Sequence, residues 1–462
     1  MRPPPQKPLI AIIGATGTGK SQLAVELATQ FNGEVINGDA MQLYEGLPII
    51  TNKITPEERK GVPHHLLGCI GLEEPTWTVG RFVKQALSVI DEIHARGKLP
   101  ILVGGTHYYT QSLLFKGALA EGAEGAEEDA RSEYADKEYA ILEEPTETIL
   151  AKLKEIDPVM ADRWHPNDRR KIQRSLEIWL KTGKTAFQTY QEQQAAKLSS
   201  DVVTGGTMKP DEAGSRLRFP TLLLWVHAEN DRLRSRLDMR VCKMVDQGLL
   251  AEVQTLNKFL QGEQDAGRHV DKTRGIWVSI GYKEFEAYHN ALNAGEVANS
   301  GLDQLKATAV EQIQTATRQY AKRQVRWIRI KLMHALSDAG ATNNLYLLDG
   351  TDLQNWDTTV SGPARHLTEH LLLGQDMPTS TGLSAAADRL LTPRREFDMS
   401  QRPDLWVRRT CEACAAVFVT ESDWMQHVRS KKHKRASARK KKATLEAEGI
   451  DGRGHGKSVL GD

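Results

Sequence analysis

The 462 residues carry 61 Lys and Arg against 60 Asp and Glu, a net charge of +1, and at about 150 residues per domain they allow roughly two to four domains. No apolar run approaches the ~20 residues of a membrane span, and four cysteines imply no disulfide framework, so a reducing compartment fits. The charge is uneven, acidic over 121–147 and densely cationic over 429–442, so a nucleic-acid partner is signalled by position and not by total charge.

After Met1-Arg2-Pro3-Pro4-Pro5, too short to hold a signal or transit peptide, the apolar run Leu9–Ile13 reads as a buried strand. It runs into Gly14-Ala15-Thr16-Gly17-Thr18-Gly19-Lys20-Ser21, and Ser21–Ala28 reads as a helix. Strand, glycine loop, Lys-Ser and helix form the context of a P-loop. The backbone N–H groups of Gly14, Thr16, Gly17, Thr18 and Gly19 turn toward phosphate oxygens, and the helix N-terminus adds positive potential. Lys20 meets a terminal phosphate, and the Ser21 hydroxyl meets Mg²⁺.

A second strand at Glu34–Asn37 delivers Gly38-Asp39-Ala40-Met41-Gln42 at its C-terminal end. In an open α/β sheet that is the edge where ligands bind, although Asp39 reads equally as a turn or cap aspartate. A helix over Val79–Arg96 precedes a third strand at Leu99–Val103, which ends in Gly104-Gly105-Thr106. Most P-loop NTPases end a core strand with an Asp for Mg²⁺. Here neither this strand nor Leu222–Val226, which ends in His227, supplies one. An ordinary ATPase or GTPase is therefore disfavoured; a small-molecule kinase, or a transferase with a diphosphate leaving group, is compatible.

From about Gly117 to Arg216 the chain turns acidic, then helical over Glu147–Ile156 and Asn167–Lys181, and closes in a Ser- and Gly-rich linker at Ser199–Gly206. Pro166 and Asn167 or Asp168 start the second helix. Arg170, Lys171 and Arg174 on it read as a solvated basic face or as a polyanion contact. The core resumes with Thr221–Val226, a helix over Asn230–Gln247, and a long helix over Leu305–Met333 bearing Arg318, Lys322, Arg323 and Arg326. A last strand at Leu345–Leu348 and a helix at Ala364–Leu373 complete it, and Gly374–Asp404 lacks periodicity and reads as a linker.

Near the C-terminus, Cys411-x-x-Cys414, twelve further residues, then His427-x₅-His433 has the spacing of a two-Cys, two-His zinc finger. Phe418 and Trp424 fall where its small core belongs. A closed four-ligand site is structural. The gap between the histidines resembles that of matrin-type fingers, often associated with RNA. The cationic tail beyond would bind backbone phosphate or serve as a nuclear localisation signal.

The expected fold is thus α/β: a parallel P-loop sheet with helices on both faces, a helical insertion and a ββα finger. The expected boundaries are 1–116 and 217–373 for the two parts of the core and 117–216 for the insertion. The linker spans 374–404, the finger 405–435 and a basic, disordered tail 436–462.

Taken together, Gly14–Ser21, Asn37–Tyr44, Gly46–Lys53, Pro63–Leu66, Val103–Tyr109, His165–Asp168 with Arg174 and Glu177, Ser279–Tyr282 and Thr317–Gln324 resemble the tRNA dimethylallyltransferase family in its eukaryotic form. Departures are small: many members have Pro where Ala15 stands, and the bacterial pattern has Arg at Lys171. The resemblance implies transfer of a dimethylallyl group from dimethylallyl diphosphate to the exocyclic amine of the adenosine 3′ of the tRNA anticodon.

Under it Asp39 takes the amine proton and Thr106 donates to the oxygen bridging carbon and phosphorus. Lys20, Mg²⁺ near Ser21, Arg318 and Lys322 neutralise the diphosphate. Asp39, Ala40, Met41, Gln42, Arg170, Lys171, Arg174 and Arg323 meet the tRNA anticodon stem-loop, and Zn²⁺ holds Cys411, Cys414, His427 and His433. His64 and His65 read as structural. A monomer is expected, in the cytoplasm, with nuclear and mitochondrial pools as further expectations. Rival readings are an adenylate isopentenyltransferase acting on free nucleotide, a P-loop kinase of a small metabolite, and an RNA-binding module with an inactive P-loop.

Overall fold

The computed structural model describes residues 3–116, 140–192, 216–295, 299–392 and 406–447. It divides into two units, one holding the core and one holding the insertion with the C-terminal finger.

The core is built on six parallel strands in the order β3-β2-β4-β1-β5-β6. They are β1 (Leu9–Ile13), β2 (Gly33–Asn37), β3 (His64–His65), β4 (Leu99–Val103), β5 (Thr221–His227) and β6 (Leu345–Asp349). The continuous apolar runs follow from burial on both faces, as parallel sheets require. Alternation divides them: Leu9, Ala11, Ile13, Leu102, Leu223, Trp225, Leu345 and Leu347 face one core cluster, while Ile10, Ile12, Val35, Ile101, Leu224, Tyr346 and Leu348 face the other.

Helices cover both faces. α1 (Lys20–Gln30) packs Leu23, Ala24 and Leu27 into the second cluster. α2 (Val79–Ala95), capped by Thr78, packs Phe82, Val83, Ala86 and Ile90 into the first. α3 (His107–Leu114) leaves the end of β4.

In the insertion, α4 (Thr146–Ile156), α5 (Pro158–Arg163) and α6 (Arg169–Thr182) enclose Ile149, Leu153, Ala161, Ile172 and Leu176. Asp157 and Asp168 cap α5 and α6, the latter accepting from the Lys171 N–H at 3.3 Å. Back in the core run α7 (Asn230–Asp246), α8 (Leu249–Asp265), α9 (Glu286–Ala294) and α10 (Asn299–Trp327). A π-turn at Ile328–Leu332 joins α10 to α11 (Met333–Asp338), and α12 (Gly362–Leu373) follows β6.

Two expectations change. Within the segment read as a linker, α13 (Ala385–Leu391) buries Ala386, Ala387 and Leu390 in the core, and Tyr346 donates to the Pro378 carbonyl at 2.9 Å. Three alanines on so short a helix give no periodicity to read, yet two of them and Leu390 are buried. The tail read as disordered from 436 is helical through Ala447 as part of α15 (Lys431–Ala447), whose Lys, Arg and Ala are strong helix formers. The linker at Ser199–Gly206, the acidic stretch before 140 and the tail beyond 447 lie outside the described residues.

His64 and His65 are structural. β3 sits at the edge of the sheet, and His65 Nε2 lies 2.6 Å from the Glu34 carboxylate. That carboxylate, on a side chain only 4% exposed, also pairs with Arg96 at 2.7 Å and Lys98 at 2.8 Å. Against the cost of burial, these three donors hold Glu34 down at about 2.

The finger pairs β7 (Trp406–Thr410) with β8 (Val417–Thr420) in antiparallel register and continues into α14 (Glu421–Arg429), capped by Thr420. Phe418 and Trp424 meet edge to face at 5.9 Å, forming the expected small core. Within this unit the finger is tied to the insertion. Arg408 pairs with Asp162 at 3.2 Å, and the Arg163 guanidinium lies 4.5 Å from the Trp164 ring and 4.2 Å from that of Trp406.

Candidate active site

The C-terminal edges of β1, β2 and β4 bring three loops together. The P-loop turns sharply at Gly14, whose φ is 142°; a Cβ there would lie 2.3 Å from the Val226 carbonyl oxygen. At Gly19, with φ 94°, an added Cβ would lie 2.5 Å from the Trp356 ring. The loop is closed on itself: Thr18 Oγ1 and Lys20 Nζ both donate to the Ala15 carbonyl, at 2.9 and 2.7 Å. Ser21, the second residue of α1, is exposed.

Asp39 follows β2 and is fixed from both sides. Its N–H donates to Asn37 Oδ1 at 2.9 Å, and its Oδ1 accepts the Met41 N–H at 3.0 Å. The β4 loop passes close by, since a Cβ on Gly105 would lie 3.0 Å from Asp39 Oδ2. Thr106 Oγ1 accepts the Ala40 N–H at 3.0 Å, so Asp39 and Thr106 are brought together, and the Thr106 hydroxyl also meets the Tyr320 phenol. Gln42 turns away to the carbonyls of Thr51 and Asn52, at 3.4 and 2.9 Å.

α10 crosses this edge. Gln324, 4% exposed, accepts the Thr16 N–H at 2.8 Å and donates to the Gly105 carbonyl at 2.9 Å, so one side chain bridges the P-loop and the β4 loop. The Tyr320 hydroxyl approaches the same carbonyl at 3.5 Å. The expected cations on this helix divide. Arg318 is held by Asp238 of α7 and by Thr315, whereas Lys322 and Arg323 are exposed.

The electrostatics define the site further. Burial pushes the Asp39 carboxyl above its ordinary value, with the Met41 N–H and the charge on Lys20 pulling it back. Burial lowers Lys20 to about 8, opposed by Asp39 and reinforced by Arg240. Arg240 on α7 is lowered to about 10 by burial, and Asp39 again opposes the shift. One carboxylate thus faces two desolvated cations. His107, 3% exposed, is pushed down to about 3 by burial and by Lys20, so it is neutral. Burial raises the Tyr320 phenol.

Sequence reasoning missed Arg240, Gln324, Tyr320 and His107. Gln324, Tyr320 and His107 lie inside motifs already quoted, where attention fell on charged or hydroxyl neighbours. For Arg240 the signal is its place one helical turn after Leu237, whose side chain packs on Gly17.

Neither β4 nor β5 ends in a carboxylate, as read. An aspartate does end β6: Asp349 accepts from the Thr351 N–H at 3.0 Å and from the Thr351 hydroxyl, capping its own turn.

In the insertion, Lys171 pairs with Asp168 at 2.7 Å and Arg174 with Glu177 at 2.9 Å; both remain exposed, as does Arg170. In the finger, one ligand atom from each of Cys411, Cys414, His427 and His433 lies within 4.8 Å of the others. Cys411 is buried, and the far ring nitrogen of His433 lies 3.2 Å from Ser437 Oγ. Two thiolates and two imidazoles so gathered fit a closed, structural zinc site, with Ser437 orienting one ligand.

The profile of the IPP transferase family matches residues 42–331, and that of a zinc-finger double-stranded RNA-binding family matches residues 408–434. A tRNA dimethylallyltransferase of Schizosaccharomyces pombe is 36% identical, covering 94% of this chain and 96% of that protein. A human tRNA dimethylallyltransferase is 31% identical over 96% of this chain and 88% of its own length. Among solved structures, one described as crystallographic snapshots of a eukaryotic dimethylallyltransferase acting on tRNA is 34% identical. It has a TM-score of 0.70 and covers 96% of this chain and all of that one.

Proposed function

Because the chain belongs to the IPP transferase family, we propose that it transfers a dimethylallyl group from dimethylallyl diphosphate to N6 of the adenosine 3′ of the anticodon in tRNA. The observation that carries this reading is Asp39, held by Asn37 and Met41 beside Thr106 and coupled electrostatically to Lys20 and Arg240. A proton acceptor and an anion-neutralising pair stand side by side.

An aromatic amine is a poor nucleophile because its lone pair is delocalised. As N6 bonds to the allylic carbon, the carbon–oxygen bond breaks, diphosphate departs, and the amine proton passes to Asp39. The burial that raises the Asp39 carboxyl makes it a better base. Lys20, the P-loop N–H groups and Arg240 meet the charge growing on the leaving group. Thr106 accepts from Ala40 and, on turning its proton away from the Tyr320 phenol, offers it to the bridging oxygen. Arg318 takes part only by exchanging Asp238 for phosphate, so Arg240 carries more of that role, with Lys322 at the exposed side.

The donor set also fits Mg²⁺: the exposed Ser21 hydroxyl beside the P-loop supplies one protein ligand, and Mg²⁺ keeps several non-protein oxygens. It would add charge neutralisation at the diphosphate.

The insertion with Arg170, Lys171 and Arg174, and the zinc finger with α15, grip the anticodon stem-loop in this reading, and the segment Asp39–Met41 meets loop bases, with Gln42 joining only by leaving the Thr51 and Asn52 carbonyls. The base leaves its stack to reach the buried carboxylate. In this reading the active unit is a monomer.

Labelled dimethylallyl diphosphate offered with unmodified tRNA, free AMP or no acceptor tests the reaction. Label is expected in tRNA alone. Label in AMP but not tRNA would overturn the proposal in favour of a free-nucleotide enzyme.

A further inference from the structure

Tyr108 is an exposed ring close in sequence to Thr106. It lies two residues after Thr106 in the first turn of α3, with 38% of its surface open. Its ring meets that of Trp327 at 5.9 Å and 63°, edge to face. Trp327 is itself fixed, donating from Nε1 to Gln111 Oε1 at 3.1 Å. The pair therefore forms a braced aromatic surface rather than a loose side chain.

The helix that carries Trp327 also carries cations. Along α10, Tyr320, Arg323, Gln324 and Trp327 follow helical spacing on one face. Tyr320 and Gln324 reach the Gly105 carbonyl from that face. Arg323 is exposed and its charge opposes the upward shift of the Tyr320 phenol; Lys322 and Arg326 on the same helix are exposed as well. An open aromatic face among unburied cations suits a nucleotide, with base on ring and phosphate on guanidinium. An apolar peptide would leave those cations unmatched.

The geometry points to Tyr108, braced by Trp327, as the stacking platform for the nucleotide next to the acceptor adenosine in the tRNA loop. This rests on the reaction proposed above. Extruding one base unstacks its neighbour, and a second aromatic surface at the mouth restores that lost contact and fixes the register of the loop. Tyr108 is thus a positioning residue for the polynucleotide and has no role toward the donor.

The test uses the full-length enzyme and an anticodon stem-loop carrying 2-aminopurine at the position beside the acceptor, on one side or the other. Tyr108→Leu removes the ring and keeps an apolar contact with Trp327; Tyr108→Phe keeps the ring. The expected result is a KM for stem-loop about tenfold higher in Tyr108→Leu, near-wild-type values in Tyr108→Phe, and an unchanged KM for dimethylallyl diphosphate. Without donor, 2-aminopurine fluorescence is quenched by wild type and Tyr108→Phe but not by Tyr108→Leu, while circular dichroism melting shows all three folded.

Equal quenching and equal KM in Tyr108→Leu would overturn the platform, as would a raised KM with no quenching in wild type at either position. Absence of transfer by wild type would sink the reaction assignment instead, and the donor-free quenching would still report on the platform.

Discussion

Gln324 accepts the Thr16 N–H at 2.8 Å across 308 residues of chain. With its amide on the Gly105 carbonyl, it fixes the distance between the phosphate loop and the loop that carries Thr106. Gln324→Ala leaves the part-buried Thr16 N–H without its partner and the Gly105 carbonyl with only the long Tyr320 contact, a cost of about 1–3 kcal/mol. Urea unfolding should show that loss, and kcat should fall while the KM for tRNA stays within about twofold. An unchanged kcat would remove Gln324 from the positioning machinery.

Asp39→Asn keeps the shape of the side chain and removes the base. Turnover should fall by about 10²–10⁴-fold, while tRNA affinity in a filter-binding assay is largely kept. Near-normal turnover would show that the amine proton goes elsewhere.

The pH profile follows from two opposed shifts. Lys20 is lowered from 10.5 to about 8, so its proton, and the charge that meets the diphosphate, are lost as pH rises through about 8. Asp39 is raised above 3.8, so the base is lost as pH falls through that raised value. kcat/KM for dimethylallyl diphosphate should be bell-shaped, with its alkaline limb near pH 8. His107, held neutral at about 3, contributes neither limb. A flat profile between pH 7 and 9.5 would contradict this account of Lys20.

Glu34 predicts acid tolerance. Its folded value of about 2 lies below the ordinary 4.5, so its contribution is complete above about pH 4.5 and is lost as pH falls through about 2. Glu34→Gln leaves Arg96, Lys98 and His65 without their common anion. Because these partners are part-exposed, the loss should sit near or below the low end of the buried-pair range, about 2–3 kcal/mol at pH 7. The wild-type advantage should shrink when both proteins are melted at pH 2.

Removing the finger requires a cut beyond Leu391, since a cut at Gly374 would strip α13 from the core. Such a truncation, or Cys411→Ser, should weaken tRNA binding and flatten its dependence on salt as phosphate contacts are lost, with label transfer retained at saturating tRNA. Chelation of the full chain should act the same way, because a zinc finger loses its fold with its metal. An unchanged salt slope would mean that the finger and α15 do not touch RNA.

Much of this was legible in residue order. Strands buried on both faces leave unbroken apolar runs such as Leu9–Ile13 and Leu222–Val226, and the P-loop and the Cys-Cys-His-His spacing each encode a local geometry. Asp39 and Thr106 were legible because strand ends of a parallel sheet converge at one edge. Gln324 and Arg240 were not, because their meaning arises only where α10 and α7 cross that edge, and a glutamine or an arginine on a long polar helix carries no mark of it. Arg318 was legible only in part for the same reason: its charge was visible, but its partner Asp238, on another helix, was not. The link between finger and insertion was hidden likewise, since Arg163 and Trp406 are meaningful only as a pair.

That pair has a further consequence. A finger on a free tether surrenders its rotational and translational freedom when it meets a partner, and affinity falls accordingly. Here Arg163, with one aromatic ring from each module at 4.5 and 4.2 Å, and Arg408 on Asp162 remove that freedom at folding. Insertion and finger are then presented to any partner at a set spacing, so a partner that meets both is selected by its width.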